Sequence, residues 1–376
     1  MLVLVVNAGS SSLKHALVDT SSEEIRSSGE ASWDSAAAPG RHAGALRAAL
    51  AAGGGGGGGG RAAAVGHRVV HGGPDFAGPT LIDAATRAAI AALAPLAPLH
   101  THAALEGIDA VAEILPGVPQ VACFDTAFHR TLAPPAATYA LPWAWTERFG
   151  LRRFGFHGLN VAWCAERAAA ILGPAGARRL VVCHLGSGCS VSAVADQRSV
   201  DTTMGFTPLE GVPMATRSGS LDPGVLLHLL AAGIGLDELA ETLNHRSGLL
   251  GIAGRLGLHE VERAAGLGDD RAQLGLDVFV RGVSGAVAAM TTALPGGLDA
   301  LVFTAGAGER SALLRGAICA RLGQLGVALD AERNAASATR IEAVGAGVAV
   351  LVVPAGEEIV VARQTAAVLG RRPPPD

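Results

Sequence analysis

Val5-Val6-Asn7-Ala8-Gly9-Ser10-Ser11-Ser12-Leu13-Lys14-His15-Ala16-Leu17-Val18-Asp19 returns, without a gap, as Val182-Cys183-His184-Leu185-Gly186-Ser187-Gly188-Cys189-Ser190-Val191-Ser192-Ala193-Val194-Ala195-Asp196. In the first copy the apolar run 2–6 reads as a buried strand with no polar face. A small, hydroxyl-rich turn follows, and Leu13, His15 and Leu17 then alternate with polar or small residues as a returning strand does. Such a hairpin offers backbone N–H groups, hydroxyls and one ammonium at its tip, which are the groups an anionic phosphate wants. Repetition at about half the chain length signals a duplicated domain and not a short-period solenoid. Two phosphate-type hairpins, one per half, imply an α/β fold of two duplicated domains with a nucleotide cleft between them.

Composition supports the weight given to the first hairpin. Of 29 Lys plus Arg, Lys14 is the only lysine, and Asn7, Asn160, Asn244 and Asn334 are the only asparagines. In a chain drifted toward Ala, Gly and Arg, one surviving lysine marks a place where a compact point charge serves and a guanidinium fork does not. The formal net charge of −4 argues against nucleic acid or an anionic membrane as partner. Cys123, Cys164, Cys183, Cys189 and Cys319 are odd in number and contain no CxxC pair, which fits reduced, cytoplasmic thiols. The six apolar N-terminal residues are far short of a signal or membrane segment.

Along the chain, residues 19–60 weaken into Ser, Ala and Gly, and the eight glycines at 53–60 read as a flexible surface loop. A strand is expected from 64 to a Gly-Gly-Pro turn, helices at 83–94 and 102–114, and a proline-forced break at 96–100. The run 118–124 reads as a buried strand that delivers Asp125 at its end. A third glycine-rich turn, Ala305-Gly306-Ala307-Gly308-Glu309-Arg310, follows the apolar run 298–303 as a strand-to-helix junction whose N-terminus suits a phosphate or nucleoside. A Walker A loop is excluded because the only lysine follows leucine. A Rossmann fingerprint is excluded because no Gly-rich turn has its acidic partner in place.

The segments 7–14, 67–73 (HRVVHGG), 97–100 (APLH), 124–129 (FDTAFH), 154–158 (FGFHG), 184–190, 201–223, 247–251, 303–309 and 353–358 together resemble the acetate kinase family, within the sugar kinase, Hsp70 and actin-like folds. They run in family order, so the resemblance spans nearly the whole chain. It implies two ribonuclease H-like domains, residues 1–150 with 359–376 and residues 151–358. The implied reaction is reversible transfer of the ATP γ-phosphoryl group to acetate, with Mg²⁺ (or Mn²⁺) and ATP/ADP as co-substrate. Propionate or butyrate is an alternative acid, and a nucleotide-binding relative with impaired catalysis is an alternative to the enzyme. Homodimerisation is a further expectation from the family.

The resemblance carries roles onto particular residues. Asp125, His157 and Arg217 are catalytic. Arg68, Val70, Leu99, Phe156, Pro208 and His100 take the acid. Ser10, Ser12, Lys14, His184, Leu185, Gly186, Ser187, Gly188, Gly306, Ala307, Gly308, Glu309 and Arg310 take the nucleotide, and Asn7 and Glu357 lie near the metal. The chemistry agrees: a carboxylate is already ionised, so the task is to bring two anions together with cations and donors, not to remove a proton. Asp125 is therefore expected to orient Arg217 or a magnesium-bound water. By residue type alone, Asp125 also suits a turn cap, His157 a satisfied core histidine, Arg217 a surface arginine, and Glu357-Glu358 a solvated pair. The chain departs from the family pattern at Ser187 (usually asparagine), at Thr101-His102-Ala103 (usually Asn-Pro), at 255–260 (which lacks an Asp-x-Arg adenosine contact) and at Arg310 (usually asparagine).

Overall fold

The two hairpins form as the repeat requires. In the computed structural model, which describes residues 1–9, 12–33, 41–54 and 62–370, β1 (Leu2–Ala8) pairs antiparallel with β2 (Ser12–Asp19). β7 (Arg179–Leu185) pairs in the same way with β8 (Cys189–Ala195). The chain divides into two units, Met1–Arg130 with His157–Asn160 and Gly356–Asp376, and Thr131–Phe156 with Val161–Ala355.

The first unit also holds β3 (Glu24–Ser32), β4 (Ala64–Val69), β5 (Thr80–Leu81) and β6 (Gln120–Phe124), in the order β3-β2-β1-β4-β6-β5. The second holds β9 (Arg198–Thr202), β10 (Ala300–Thr304) and β11 (Ala349–Val352), in the order β11-β10-β7-β8-β9. Reversing the second gives β9-β8-β7-β10-β11, the counterpart of β3-β2-β1-β4-β6 with the same parallel and antiparallel pairings. The duplication inferred from fifteen aligned residues thus extends to a whole sheet, and β5 is the added edge strand. Apolar runs become the central strands because both faces are covered: Val3, Val5, Val6, Val65, Val121, Val181, Val182 and Val302 are all essentially inaccessible.

In the first unit, Leu4, Val6, Leu13 and Val65 pack under the helices Arg41–Gly54 and Pro98–Ile114 through Leu46, Ala110 and Val111. The C-terminal helix Glu357–Gly370 packs on β1, β4 and β6. Its approach is close enough that a Cβ at Gly66 would sit 2.4 Å from Thr365 Oγ1 and 2.6 Å from Val361 Cγ1, so only glycine fits there. In the second unit the helix Asp270–Thr291 is long and apolar enough to cross a membrane by length and composition. Its inner residues, Leu276, Phe279, Val283 and Val287, pack at helical spacing against β7, β8 and the helices around it.

Four expectations change. The stretch 19–60 is not weak throughout: Glu24–Ser32 is a strand and Arg41–Gly54 a helix. β3 gains its order from the ladder with β2, a tertiary effect that overrides poor strand propensity. Gly53 and Gly54 end that helix, while the remaining glycines of the run lie outside the described residues. The break expected at 96–100 is narrower, because Pro98 begins the next helix at its first turn, where its missing N–H costs nothing. Finally, the two turns differ by one residue. Ala8 faces Leu13 but Leu185 faces Cys189, and the closing bond runs from Gly9 N–H to Ser12 O in one turn and from Gly186 N–H to Gly188 O in the other. The gapless alignment therefore holds for β1 and β7 but slips by one in the pairing of the returning strand.

Candidate active site

The first unit builds its site on the ends of β4 and β6. Arg68 lies on β4, and Asp125 follows β6 with its N–H donating to Val69 O at 3.0 Å. The Arg68 guanidinium reaches Asp125 through Nε (3.1 and 3.2 Å to the two oxygens) and Nη2 (2.7 Å), and Glu357 through Nη1 (2.9 Å). Side-chain exposures of 17% for Arg68, 1% for Asp125 and 14% for Glu357 make this a sheltered cluster. A guanidinium has five N–H groups; these contacts leave one on each Nη to meet a further anion. The arginine that Asp125 holds is thus Arg68, where the sequence led to the expectation of Arg217 or a magnesium-bound water.

Electrostatics in the cluster are unbalanced. Burial works against the Arg68 cation, but the charges of Asp125 and Glu357 and the hydrogen bonds from Asp125 hold its pKa above the ordinary arginine value. Burial pushes the Glu357 carboxyl up to about 7, opposed by Arg68 and reinforced by Asp125 and Glu358. Lys14 also favours the Glu357 anion, while its Nζ lies 3.6 Å from Glu30 across the β2–β3 ladder. Three carboxyl groups thus crowd one arginine, and the crowding shows as the raised Glu357 carboxyl. Among the described residues no group of three or more His, Cys, Asp or Glu forms a metal cage. Mg²⁺ needs none, since it is usually held by one or two carboxylates, waters and substrate phosphates.

His157 is positioned by strain and by Asp125. Its φ of +58° places a non-glycine residue in the left-handed region, a feature that concentrates at functional sites. The next residue, Gly158, donates its N–H to Asp125 O at 2.9 Å, and a Cβ on Gly158 would lie 2.2 Å from that oxygen. Asn160, fully buried, accepts from the N–H of Gly356 beside Glu357 at 3.4 Å. Val70 is half-buried just past β4, and His100 is half-buried on the helix Pro98–Ile114. Asn7 ends the buried part of β1, and Ser12 opens β2. Ser10 lies outside the described residues, as does the side chain of Leu99.

The second unit brings a different set together. His184 and Leu185 end β7, Gly186 and Gly188 make the three-residue turn, and Ser187 is exposed at its tip with its carbonyl accepting from Ala215 N–H at 3.2 Å. Arg217 follows on the same loop. It is half-buried, has no hydrogen-bonded or ion-paired acid among the described residues, and burial lowers its pKa while the Cys189 thiol opposes that. Gly248, at φ +61°, lets the segment 247–251 press on this loop, since a Cβ there would meet Met214 O at 2.2 Å and Arg217 O at 2.6 Å. A half-buried cation without an acid partner is a receptor for an anion.

The third turn is the expected strand-to-helix junction, with β10 ending at Thr304 and a short helix Ala305–Arg310. Gly306 and Ala307 are half-buried and Gly308 is buried. Glu309 uses one carboxylate oxygen on the Ala355 N–H at 3.0 Å. Beneath the turn, fully buried Arg315 donates to Gly308 O and Glu309 O (2.8 Å each), to Asn334 Oδ1 and O (2.9 and 2.8 Å) and to Ser337 Oγ (2.9 Å). Sequence reading missed Arg315, although Asn334 is one of only four asparagines, a signal that pointed to its partner. It also missed the network in which Tyr139, the only tyrosine, joins Glu210 (2.5 Å) and Phe206 N–H (2.7 Å), with Arg153 on Glu210 at 2.7 Å. That network pins the loop carrying half-buried Pro208, while Phe156 is buried. A cavity of about 790 Å³ in this unit, lined by Arg153, Asp201, Glu210, Arg246 and Arg281 among others, includes none of the expected site residues.

The family model described as the Acetokinase family matches residues 60–363. The chain belongs to the acetokinase family. An acetate kinase of Leifsonia xyli subsp. xyli is 48% identical over 96% of this chain and 97% of its own length. One of Deinococcus deserti is 46% identical over 98% of both. Among solved structures, a propionate kinase from Francisella tularensis subsp. tularensis superposes with a TM-score of 0.91 at 36% identity, covering 97% of this chain and 99% of that one. Porphyromonas gingivalis acetate kinase follows at 0.87 and 33%, covering 98% and 99%. Membership of the acetokinase family accounts for the two sheets of matching topology, and identifies the α/β fold as the duplicated, actin-like kinase type.

Proposed function

We propose that the protein is an acetate kinase, transferring the γ-phosphoryl group of ATP directly to the carboxylate of acetate to give acetyl phosphate and ADP, reversibly. An acetate oxygen forms the new P–O bond as the bond to the β-phosphate bridging oxygen breaks, and no proton need move. The observation that carries this reading is the Arg68 guanidinium, clamped by Asp125 and Glu357 yet left with two N–H groups unused among the described residues. A fixed arginine fork suits a carboxylate substrate better than a mobile ammonium does. Arg217, half-buried with no acid partner among the described residues, supplies a second cation for the transferring phosphoryl oxygens, and His157 a donor to them. Asp125 acts as the orienter of Arg68 and takes no proton.

The nucleotide is proposed to use the turn after β1 with Ser12 and Lys14, the turn His184–Gly188 and the turn Gly306–Arg310. The carboxyl groups crowded around Glu357 suit a divalent cation, with Glu357 and the Asn7 amide oxygen holding Mg²⁺. When bound, the ion neutralises phosphate charge. The bulky apolar residues that the resemblance assigns to the acid, Val70, Leu99, Phe156 and Pro208, favour a two- or three-carbon acid, and the propionate kinase neighbour makes propionate the second substrate to try. One methylene is worth only about 1–3 kcal/mol in such a pocket. A homodimer is part of the proposal; the helix Pro223–Ala231 buries none of its own residues and exposes Val225, Leu227 and Leu230. Five buried thiols without a disulfide suit a reducing, cytoplasmic setting. Purified protein with ATP, Mg²⁺ and two- to four-carbon acids, trapped with hydroxylamine, tests the reading: acyl hydroxamate from acetate supports it, and none from any acid overturns it.

A further inference from the structure

The carbonyl of Gly9, at the head of the first phosphate-type turn, carries a contact that phosphate recognition does not explain. His42, on the helix Arg41–Gly54, is 2% exposed, and its Nε2 lies 3.1 Å from Gly9 O. A carbonyl only accepts, so Nε2 bears the hydrogen and the ring is fixed in that tautomer or in its doubly protonated form. On the opposite edge, Nδ1 lies 2.6 Å from Oε2 of Glu106, close but off the direction of an aligned hydrogen bond. Glu106 comes from the helix Pro98–Ile114, and its carboxylate stands against the ring edge opposite Gly9, so the ring is held from both sides. The Trp33 ring meets the imidazole edge-on, with centroids 5.0 Å apart at 79°. Three elements therefore hold one ring whose outward nitrogen holds one carbonyl.

The turn has a closure of its own as well. Among the described residues its internal backbone bond is Gly9 N–H to Ser12 O, 2.7 Å. Gly9 contributes no side chain, and a glycine loses much conformational entropy on being fixed. A phosphate cradle works only if its N–H groups are already aimed when the anion arrives. We propose that His42 is a positioning residue that clamps the first phosphate-binding turn through the Gly9 carbonyl, with Glu106 orienting the clamp. This rests on the assignment of that turn to the nucleotide.

The test combines two readouts on wild type, His42→Ala, His42→Gln and Glu106→Ala. Amide hydrogen exchange at Gly9, Ser12 and Leu13 reads the clamp without reference to catalysis. Separate KM values for ATP and acetate, by the hydroxamate assay, read its consequence. Loss of a buried hydrogen bond of this kind predicts exchange about tenfold faster or more in His42→Ala, a KM for ATP raised by about the same factor, and an unchanged KM for acetate. His42→Gln, which keeps a donor, should recover part of both, and Glu106→Ala should fall between it and wild type. Unchanged exchange in the turn overturns the clamp, and equal rises in both KM values reduce His42 to a general structural residue. If His42→Ala does not fold, His42→Gln and Glu106→Ala decide alone, since Glu106 is half-exposed. Wild type without acyl phosphate would overturn the proposed reaction while exchange still judges the clamp.

Discussion

Replacing Asp125 by asparagine removes one charge and keeps the shape, so it isolates what the carboxylate does for Arg68. The pair has two effective bonds, one from Nη2 at 2.7 Å and one from Nε shared between both oxygens at 3.1 and 3.2 Å. Hydrogen bonds to charged groups contribute about 1.5–3 kcal/mol each. Asparagine keeps one acceptor and turns an N–H₂ toward the guanidinium, so one bond is lost and the other weakened. Removing one partner of a buried pair commonly costs about 3–5 kcal/mol because the other charge is stranded. Arg68 is not stranded here, since Glu357 remains at 2.9 Å. The stability loss should therefore lie lower, at about 2–3 kcal/mol. Activity should suffer more than stability, because Arg68 is then drawn toward Glu357 and away from the geometry both carboxylates define. A displacement of about 1 Å in a positioning group can cost about a hundredfold in rate. The assay is acyl hydroxamate formation with acetate and ATP varied in turn, beside urea unfolding. We expect kcat/KM for acetate to fall by about two to three decades. A fall of less than about tenfold, with the urea midpoint lowered as expected, would mean that the pair is a structural strut and that Arg68 does not grip the acid.

Arg217→Ala should abolish most activity with little effect on stability, because the guanidinium makes no ion pair among the described residues; activity within about tenfold of wild type would remove it from the reaction. The Glu357 carboxyl, raised from 4.5 to about 7, binds its proton more tightly in the folded protein. The stability this contributes is present below about 4.5 and lost as pH rises through about 7. Urea midpoints from pH 5 to 8 should thus fall in wild type relative to Glu357→Gln, and parallel curves would contradict the raised value. Arg315→Lys leaves at least two of five acceptors unserved in a fully buried site and should cost about 3–5 kcal/mol, read as a lower urea midpoint at constant m. A loss under about 1 kcal/mol would show that the turn above it is held by other means.

Much of the architecture was legible because it is written locally. Apolar runs bounded by Gly/Ser turns located β1, β4, β6, β7 and β10, and their repetition revealed the duplicated sheet before any contact was known. His157, Arg217 and the three turns stood out in the sequence because each sits among small residues in a segment that resembles the family; their roles belong to the proposed function. β3 was not legible, because Glu24–Ser32 has no strand pattern of its own and is ordered by β2.

Partners are another matter. Arg68 and Asp125 are 57 positions apart, and nothing near either names the other. Adjacent parallel strands β4 and β6 bring them together. Arg315 finds its acceptors on a turn, a helix and Ser337, and His42 finds Gly9 from a stretch whose composition looked featureless. The sequence alone therefore determined the repeat, the strands at its heart and the residue types gathered for phosphate and carboxylate, because spacing and side-chain chemistry act over a few residues. Tertiary structure decided which arginine Asp125 holds, that the second turn is one residue tighter, and which buried side chains hold the turns in place. Those outcomes depend on strand order and register, which only the folded sheet specifies.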